Sequence, residues 1–171
     1  MALKLWHCKG SRSIRPLWTL EEMGLDYELV VMEFPPRHMQ EGYTDLNPIG
    51  TVPFFTDGQV KMTESAGISE YIAHRYGPTE LAIQPHETSY GDYLNWIHRS
   101  DATCTFPQTI ALPPTLFEPS RGPEGAVEAY IKWCLTRLKV VEQTLKDLEL
   151  LCSDCCSFSY ICVGMALCGV G

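Results

Sequence analysis

Apolar and polar positions at the start of the chain predict a strand, a helix and a second strand. Residues 3–7 form a short, mostly apolar run, which favours a buried strand. Residues 11–24 carry apolar side chains near helical spacing, with Ser13 placed as a possible cap and Gly24 as a typical stop. Apolar and β-branched residues return over 27–32, which predicts the second strand.

A hairpin and another helix follow a polar stretch, 33–47, that predicts a loop or an irregular helix. Two apolar segments, 52–55 and 60–62, flank the Asp57-Gly58 dipeptide, which is favoured in tight antiparallel turns. A helical pattern then runs to the stop signal Gly77-Pro78. The order β-α-β, connection, β-β-α is that of an α/β thioredoxin-like domain over 1–77.

Only helical patterns follow a proline-containing linker predicted at 78–86. Residues 87–103 and 124–150 each carry an amphipathic stripe, and such helices need partners to bury it. We therefore predict a partial all-α domain over 87–151. Residues 152–171 hold five cysteines, show no helical period and predict an atypical tail.

Composition excludes several classes of function. The net charge of −8 over 171 residues argues against nucleic-acid binding, which needs clustered basic side chains. No run approaches the roughly 20 apolar residues of a membrane span, and no signal peptide is recognised, so a cytoplasmic location is expected. Eight cysteines without a secretory signal do not predict a disulfide framework, and Cys152-x-x-Cys155 lacks a second ligand pair, so no metal is expected.

Two serines precede the first helix. Ser11 and Ser13 lie where unpaired backbone N–H groups and the helix dipole favour a nearby anion. A thiol placed there would ionise more readily. The alternative is that either serine is an ordinary helix cap.

Two further segments suggest a binding site for an extended peptide. A cis bond before Pro53 would turn the backbone outward and leave the N–H and C=O of Val52 free to pair, although an ordinary loop is the alternative. Ser65 and local N–H groups suit a carboxylate, and Glu64 suits an ammonium group. A capping motif is the alternative for this pair.

In this order, the three segments resemble the N-terminal domain of the cytosolic glutathione transferases. The resemblance covers roughly residues 3–150 and includes LEEMGLDYELV, NPIGTVPFF and ESAGISEYIAHRYG. It implies attack of the glutathione sulfur on a small electrophile. Ser11, followed by Arg15 at the family's interval, matches the thiol-activating residue of the serine-type classes, and Ser13 is the fallback.

The resemblance also implies the remaining contacts. Thr51, Val52 and Pro53 would bind the cysteinyl part of glutathione, and Glu64 and Ser65 its γ-glutamyl head. The glycine carboxylate would need Arg37, His38 or a water molecule. Glutathione would be a cosubstrate with no other cofactor, and the family implies a homodimer.

The Cys-rich tail leads us to expect a truncated helical domain. Burial of apolar surface contributes about 25 cal/mol per Å², so two unpartnered stripes would remove much of a small domain's net stability. We expect an encoded glutathione pocket, an incomplete electrophile pocket and low stability.

Three other interpretations stay open. Cys8 has Cys-x-x-Ser spacing to Ser11 and a neighbouring Lys9 that would lower its pKa, which suits a glutathione-dependent thiol transferase. A half-buried structural Cys8 is the alternative. The chain could instead be a non-catalytic glutathione-binding or interaction protein, or the product of an aberrant transcript.

Overall fold

The computed structural model describes residues 2–105, 126–147, 151–152 and 157–168. The chain divides into two compact units, Met1–Ala82 and Ile83–Gly171. The division falls inside the segment 78–86, which the sequence marks as a linker.

A four-stranded mixed sheet forms the first unit. Its order is β2-β1-β3-β4, with β1 parallel to β2, β3 antiparallel to β1 and β4 antiparallel to β3. The strands are β1 Leu3–Cys8, β2 Tyr27–Met32, β3 Phe54–Asp57 and β4 Val60–Met62. This is the predicted thioredoxin-like arrangement, which is therefore confirmed.

Four helices complete the first unit: α1 Ile14–Glu22, α2 Pro36–Met39, α3 Tyr43–Leu46 and α4 Ser65–Tyr76. The segment predicted as a loop or irregular helix contains the one-turn helices α2 and α3. The first helix begins at Ile14 rather than residue 11, because turns fold the intervening residues back toward β1. Ser13 occupies the cap position, but its side chain makes no capping hydrogen bond, so the capping expectation is wrong.

Both faces of the sheet are covered by apolar clusters, because successive strand side chains point to opposite faces. Leu3 and Leu5 join the cluster that also contains Leu20 of α1 and Ile68 and Ile72 of α4. On the other face, Trp6, Cys8, Met32, Tyr43 and Phe54 pack together. Burial on both faces explains why β1 carries apolar side chains on both faces, with Lys4 and His7 as its two partly exposed polar positions.

The topology brings three strand ends to one edge of the sheet. In the register of the ladders, Trp6 lies opposite Phe54, and Phe55 lies opposite Met62. The carboxyl end of β1, the amino end of β3 and the carboxyl end of β4 therefore meet. The segments around Ser11, Val52 and Ser65 leave the sheet at this shared edge.

Helices form the described part of the second unit. Helix α5, Tyr90–Arg99, continues as a π-helical segment over Ser100–Thr105, and the later helices are α6 Ala126–Asp147 and α7 Phe158–Cys168. The two helices predicted from the amphipathic patterns are thus present. In the ranges that the structure describes, no helix is both long and apolar enough to cross a membrane.

The tail departs from the sequence expectation, because it contains helix α7. Its buried side chains include Phe158, Ile161, Cys162 and Val163, and the helix packs against α5 and the π-helical segment. Helix α7 is apolar around most of its circumference, so it shows no polar–apolar period for a sequence pattern to detect. The residues between 152 and 157 lie outside the described ranges.

The sequence predicted that α5 would have no helix to pack against, and this prediction is wrong. Tyr93, Trp96 and Ile97 of α5 are buried, and the helix packs against α7. Helix α6 behaves differently. Ile131 and Leu145 of its predicted stripe are 47% and 41% exposed, whereas Val141 is 4% exposed.

Candidate active site

Three side chains form a hydrogen-bonded row at the end of β1. Ser13 Oγ lies 2.8 Å from Nδ1 of His7 and 2.5 Å from Oγ of Ser11. The Ser11 hydroxyl also lies 2.8 Å from the C=O of Cys8, and the Ser13 N–H donates to Ser11 Oγ at 3.3 Å. Ser13 is fully buried, whereas Ser11 is partly exposed, so Ser11 is the hydroxyl of this row that can meet a ligand.

A turn after β1 places this row. Gly10 has a φ of 72°, a conformation that glycine adopts without steric cost, and the Ser11 N–H then donates to the Cys8 C=O at 3.2 Å. The Cys8 N–H donates in turn to Ser13 Oγ at 3.3 Å. The Ser13 hydroxyl is therefore bonded to β1 and not to the backbone of its own helix.

Cys8 is fully buried in the face that also holds Trp6. Its Sγ lies 3.6 Å from the C=O of Glu33. Burial raises the pKa of the Cys8 thiol above its usual value. The expectation that Lys9 lowers this pKa is wrong, because desolvation of the thiolate dominates.

The segment before β3 is held by two polar side chains. The peptide bond between Val52 and Pro53 is cis, as the sequence suggested. Tyr43 donates its hydroxyl to the C=O of Thr51 at 2.7 Å, and Asn47 donates Nδ2 to the same oxygen at 2.8 Å. No hydrogen bond to the N–H or C=O of Val52 is made by the residues that the structure describes.

Gly50 permits the turn inside this segment. Its φ is 69°, and a Cβ there would lie 2.9 Å from Cβ of Arg37. The guanidinium of Arg37 donates to the C=O of Ile49. Arg37 and His38 are both exposed, and Arg37 thus lies beside the segment that leads to Val52.

The start of α4 is bonded to α1 through buried side chains. Arg15, fully buried, donates Nη1 to Ser65 Oγ at 3.1 Å. Glu64 is exposed, and no side chain caps the helix, so the capping alternative for Glu64 and Ser65 is wrong. Because Arg15 takes one acceptor position of Ser65, the hydroxyl hydrogen of Ser65 is left to donate elsewhere.

The structure brings the turn of Ser11 and the amino end of α4 to the sheet edge that also carries Val52. Sequence reasoning assigned no role to His7, Tyr43 or Asn47. Their hydrogen bonds reach side chains or carbonyl groups 6, 8 and 4 residues away, in turns that no helix or strand pattern marks. Arg15 was noticed only for its interval from Ser11, and its burial and bond to Ser65 were not foreseen.

Among the residues that the structure describes, no group of three His, Cys, Asp or Glu side chains is arranged to hold a metal ion. Cys155, the second member of the Cys-x-x-Cys pair, lies outside the described ranges.

Comparisons with known proteins agree with the fold. Residues 1–74 match the family described as glutathione S-transferase, N-terminal domain. The chain is 35% identical over 99 residues to glutathione S-transferase 3 of Schizosaccharomyces pombe, covering 58% of this chain and 41% of that protein. It is 45% identical over 64 residues to a glutathione S-transferase of Hyoscyamus muticus, covering 37% of this chain and 30% of that protein. The chain thus spans less than half the length of these relatives.

Solved structures show the same fold over most of the chain. The glutathione transferase URE2P8 of Phanerochaete chrysosporium superposes with a TM-score of 0.85 at 21% identity, covering 98% of this chain and 78% of that one. Glutathione S-transferase III in its apo form gives 0.77 at 25% identity, covering 99% and 81%. With the domain match, this likeness shows that residues 1–74 are similar to the N-terminal domain of glutathione S-transferases and that the chain shares the fold of these solved structures.

Proposed function

We propose that the chain binds glutathione at the sheet edge formed by β1, β3 and β4, and activates its thiol for attack on a small electrophile. The observation that carries this proposal is the partly exposed Ser11 hydroxyl at the start of α1, on the same edge as the unpaired Val52 backbone. The reaction is that of a serine-type glutathione transferase.

Backbone pairing would hold the cysteinyl part of glutathione. The N–H and C=O of Val52 suit an extended peptide, which would pair with them as an added strand. Thr51 is exposed on the same segment, and Pro53 is buried behind it. The bonds from Tyr43 and Asn47 to the Thr51 C=O support this placement by fixing the segment.

The γ-glutamyl head would bind at the start of α4. Arg15 donates to Ser65, so the Ser65 hydroxyl is directed to donate to the head-group carboxylate. The exposed Glu64 would pair with the ammonium group. Arg37 and His38, both exposed, are the basic side chains that we assign to the glycine carboxylate.

Thiol activation would follow from the position of Ser11. Its hydroxyl and the adjacent N–H groups at the start of α1 favour the thiolate over the thiol. The thiolate then forms a bond from sulfur to the electrophilic carbon, and the bonding electrons of that carbon pass to the leaving group or to a conjugated acceptor.

The oligomer and the compartment are proposed from the relatives. We expect a homodimer in the cytoplasm, with the electrophile bound by the helical unit. Sedimentation analysis would show a single protomer mass if the dimer is incorrect.

The Cys8 thiol transferase is disfavoured by the burial of its thiol and its raised pKa. The non-catalytic alternative differs in outcome: it predicts saturable glutathione binding without a thiolate or turnover.

The test is a calorimetric titration with glutathione, followed by ultraviolet measurement of the bound thiolate and turnover with a general electrophile. Ser11→Ala should keep glutathione binding but lose the thiolate signal and lower kcat/KM by about 100-fold, as expected when one donor to a developing anion is removed. Cys8→Ala is the matched control and should keep activity. Absence of glutathione binding would refute the proposal, and loss of activity in Cys8→Ala alone would favour the thiol transferase.

A further inference from the structure

The direction of the hydrogen bonds in the row of His7, Ser13 and Ser11 follows from counting hydrogens, since each serine hydroxyl has one. The Ser11 hydroxyl donates to the C=O of Cys8 at 2.8 Å, because a carbonyl oxygen can only accept. The hydrogen between the Ser11 and Ser13 oxygens, which lie 2.5 Å apart, therefore belongs to Ser13. Ser13 thus donates to Ser11, and its contact with the Cys8 C=O at 3.4 Å is secondary.

The imidazole of His7 supplies the next hydrogen. Its Nδ1 lies 2.8 Å from Ser13 Oγ, whose own hydrogen is directed at Ser11, so Nδ1 carries the hydrogen of this bond. Burial lowers the pKa of His7, with a smaller opposing effect of its hydrogen bond to Ser13, so the ring is neutral at pH 7 and its Nε2 is bare. The row therefore runs in one direction, from His7 through Ser13 to Ser11.

Both serine oxygens are saturated as acceptors, because a hydroxyl oxygen accepts two hydrogen bonds. Ser13 Oγ accepts the Nδ1–H of His7 and, at 3.3 Å, the N–H of Cys8. Ser11 Oγ accepts the hydroxyl of Ser13 and, at 3.3 Å, the Ser13 N–H. Ser11 can therefore offer a ligand only its hydrogen.

We propose that Ser13, held by His7, is the positioning residue that restricts Ser11 to donating, so that the site selects the thiolate of glutathione over the neutral thiol. The S–H of a neutral thiol finds no acceptor on Ser11. A thiolate receives the Ser11 hydrogen in a charge-assisted bond, which is roughly twice as strong as a neutral one. This inference rests on the proposed glutathione site, where Ser11 is the residue that touches the sulfur.

Binding turns one hydrogen bond and transfers no proton within the protein. The Ser11 hydroxyl leaves the Cys8 C=O and donates to the sulfur. That carbonyl keeps the N–H of Ser11 at 3.2 Å, so it is not left unpaired. The S–H bond of glutathione breaks, its electron pair stays on sulfur, and its proton passes to a solvent base, which is water or buffer. Ser11, Ser13 and His7 keep all their hydrogens.

The tautomer of His7 is the first test, and it needs no ligand. A long-range proton–nitrogen NMR spectrum of the ¹⁵N-labelled chain at pH 7 reports which ring nitrogen carries hydrogen. We expect Nδ1 to carry it and Nε2 to be bare, with the His7 signals assigned by their loss in His7→Asn. A folded chain with His7 in the Nε2–H form would overturn the proposal.

Ser13→Ala tests what the row does for Ser11. It removes a donor hydroxyl, so Ser11 Oγ regains an acceptor position. The apparent pKa of the bound thiol should rise by about 0.5–1 unit, a three- to tenfold loss of thiolate on the acid side of the titration. Below that pKa, kcat should fall by the same factor, while the KM for glutathione stays within about twofold of wild type.

Thr19→Val is the matched control for Ser13→Ala. Thr19 is equally buried on α1, and its hydroxyl donates within that helix, to the C=O of Arg15 at 2.9 Å. This variant loses a buried hydroxyl without touching the row. It should lower stability and leave the thiol pKa unchanged, and a thiol pKa that moves equally in both variants would contradict the proposal.

Two substitutions of His7 test its donation to Ser13. In His7→Asn, the side-chain Nδ2–H can donate to Ser13 from near the Nδ1 position, so the thiol pKa should stay within about 0.2 units of wild type. His7→Leu removes the donor and should lose about twofold in thiolate, since one bond in a chain strengthens the next by roughly 10–30%. Equal losses in the two variants would overturn the role of His7.

The outcomes separate this inference from the proposed function. If wild type fails to bind glutathione, or Ser11→Ala keeps its thiolate, the proposed function is refuted and this inference with it. If both behave as expected but Ser13→Ala leaves the thiol pKa unchanged, the inference alone is overturned. If Ser13→Ala does not fold, the His7 tautomer in wild type and the two His7 variants decide the question.

Discussion

Ser13 and Ser65 both stand at helix starts. Their hydroxyls form hydrogen bonds with side chains outside the helix and do not cap its backbone. Ser13 bonds to His7 and Ser11, and Ser65 accepts from Arg15. A cap would stabilise one helix, whereas these contacts fix β1 to α1 and α1 to α4. A substitution at either serine should therefore change the geometry of the site as well as the free energy of unfolding.

Ser65→Ala removes one hydrogen-bond acceptor of Arg15 Nη1. We expect the free energy of unfolding to fall by about 1.5–3 kcal/mol, the usual contribution of a hydrogen bond to a charged group. Glutathione affinity should fall as well. Ser69→Ala is the matched control, because Ser69 is equally buried on α4 and only donates to the Ser65 C=O. Urea denaturation and calorimetry would measure both, and equal losses in the two variants would contradict this reading.

Gly50→Ala tests the segment that carries Val52. Alanine at a φ of 69° costs roughly 1–2 kcal/mol, and its Cβ would also press on Cβ of Arg37. Gly24→Ala is the control, since Gly24 has a φ of 60° with no atom within 4 Å of the added Cβ. We expect both variants to lose stability in urea denaturation and only Gly50→Ala to lose glutathione affinity. Equal binding by the two variants would show that this turn does not position the site.

At the scale of elements, local pattern predicted the strands, α1, α4, α5 and α6, because each has a strand run, a helical stripe or a turn dipeptide. Helix α7 was missed because a helix buried on most sides carries no amphipathic period. The candidate site was predicted at Ser11, Val52 and Ser65, which stand at element ends. His7 and Arg15 were not assigned a role, since their partners are set by packing.

One contact between elements gives a pH dependence. The Asp57 carboxylate at the end of β3 accepts from the hydroxyls of Tyr71 at 2.8 Å and Tyr76 at 2.6 Å, both on α4. The bond to Asp57 is the largest cause that raises the pKa of Tyr76 to about 12. The folded chain thus holds this proton above the ordinary value of 10.0. Its contribution to stability is complete below pH 10 and is lost as the pH rises toward 12.

The same bonds, from Tyr76 and then Tyr71, lower the pKa of Asp57 from 3.8, so its contribution is present above that pH and is lost as the pH falls further. Asp57→Asn should bring the tyrosinate titration of Tyr76 back toward 10 in an ultraviolet pH titration. Asp45→Asn, at an exposed carboxylate, should leave it unchanged. An unaltered Tyr76 titration in Asp57→Asn would show that this link is absent.

At the scale of the whole molecule, the second unit depends on its last helix. Phe158 of α7 is fully buried, and α7 packs against α5. The chain therefore supplies a partner for α5 from a segment whose sequence predicted no regular structure. A missing partner is thus no longer a reason to expect low stability from α5.

Phe158→Ala should lower the free energy of unfolding of this unit by about 3–5 kcal/mol, the usual cost of deleting a buried phenylalanine ring. Leu167→Ala on the same helix is the control, because Leu167 is 40% exposed and should cost much less. Thermal denaturation monitored by circular dichroism would measure both. Equal losses would mean that α7 does not pack as described.

Burial of thiols in the described ranges bears on the chemistry that we propose. Cys8, Cys104, Cys152 and Cys162 are all buried, and the pKa of Cys8 is raised. A catalyst that gathers reactive electrophiles exposes its own nucleophiles to them. These four sulfurs lie where reagents do not reach, and burial raises the pKa of the Cys8 thiol, so glutathione would be alkylated before any of these four. For these four thiols, protection from the electrophile comes from the same packing that stabilises the fold.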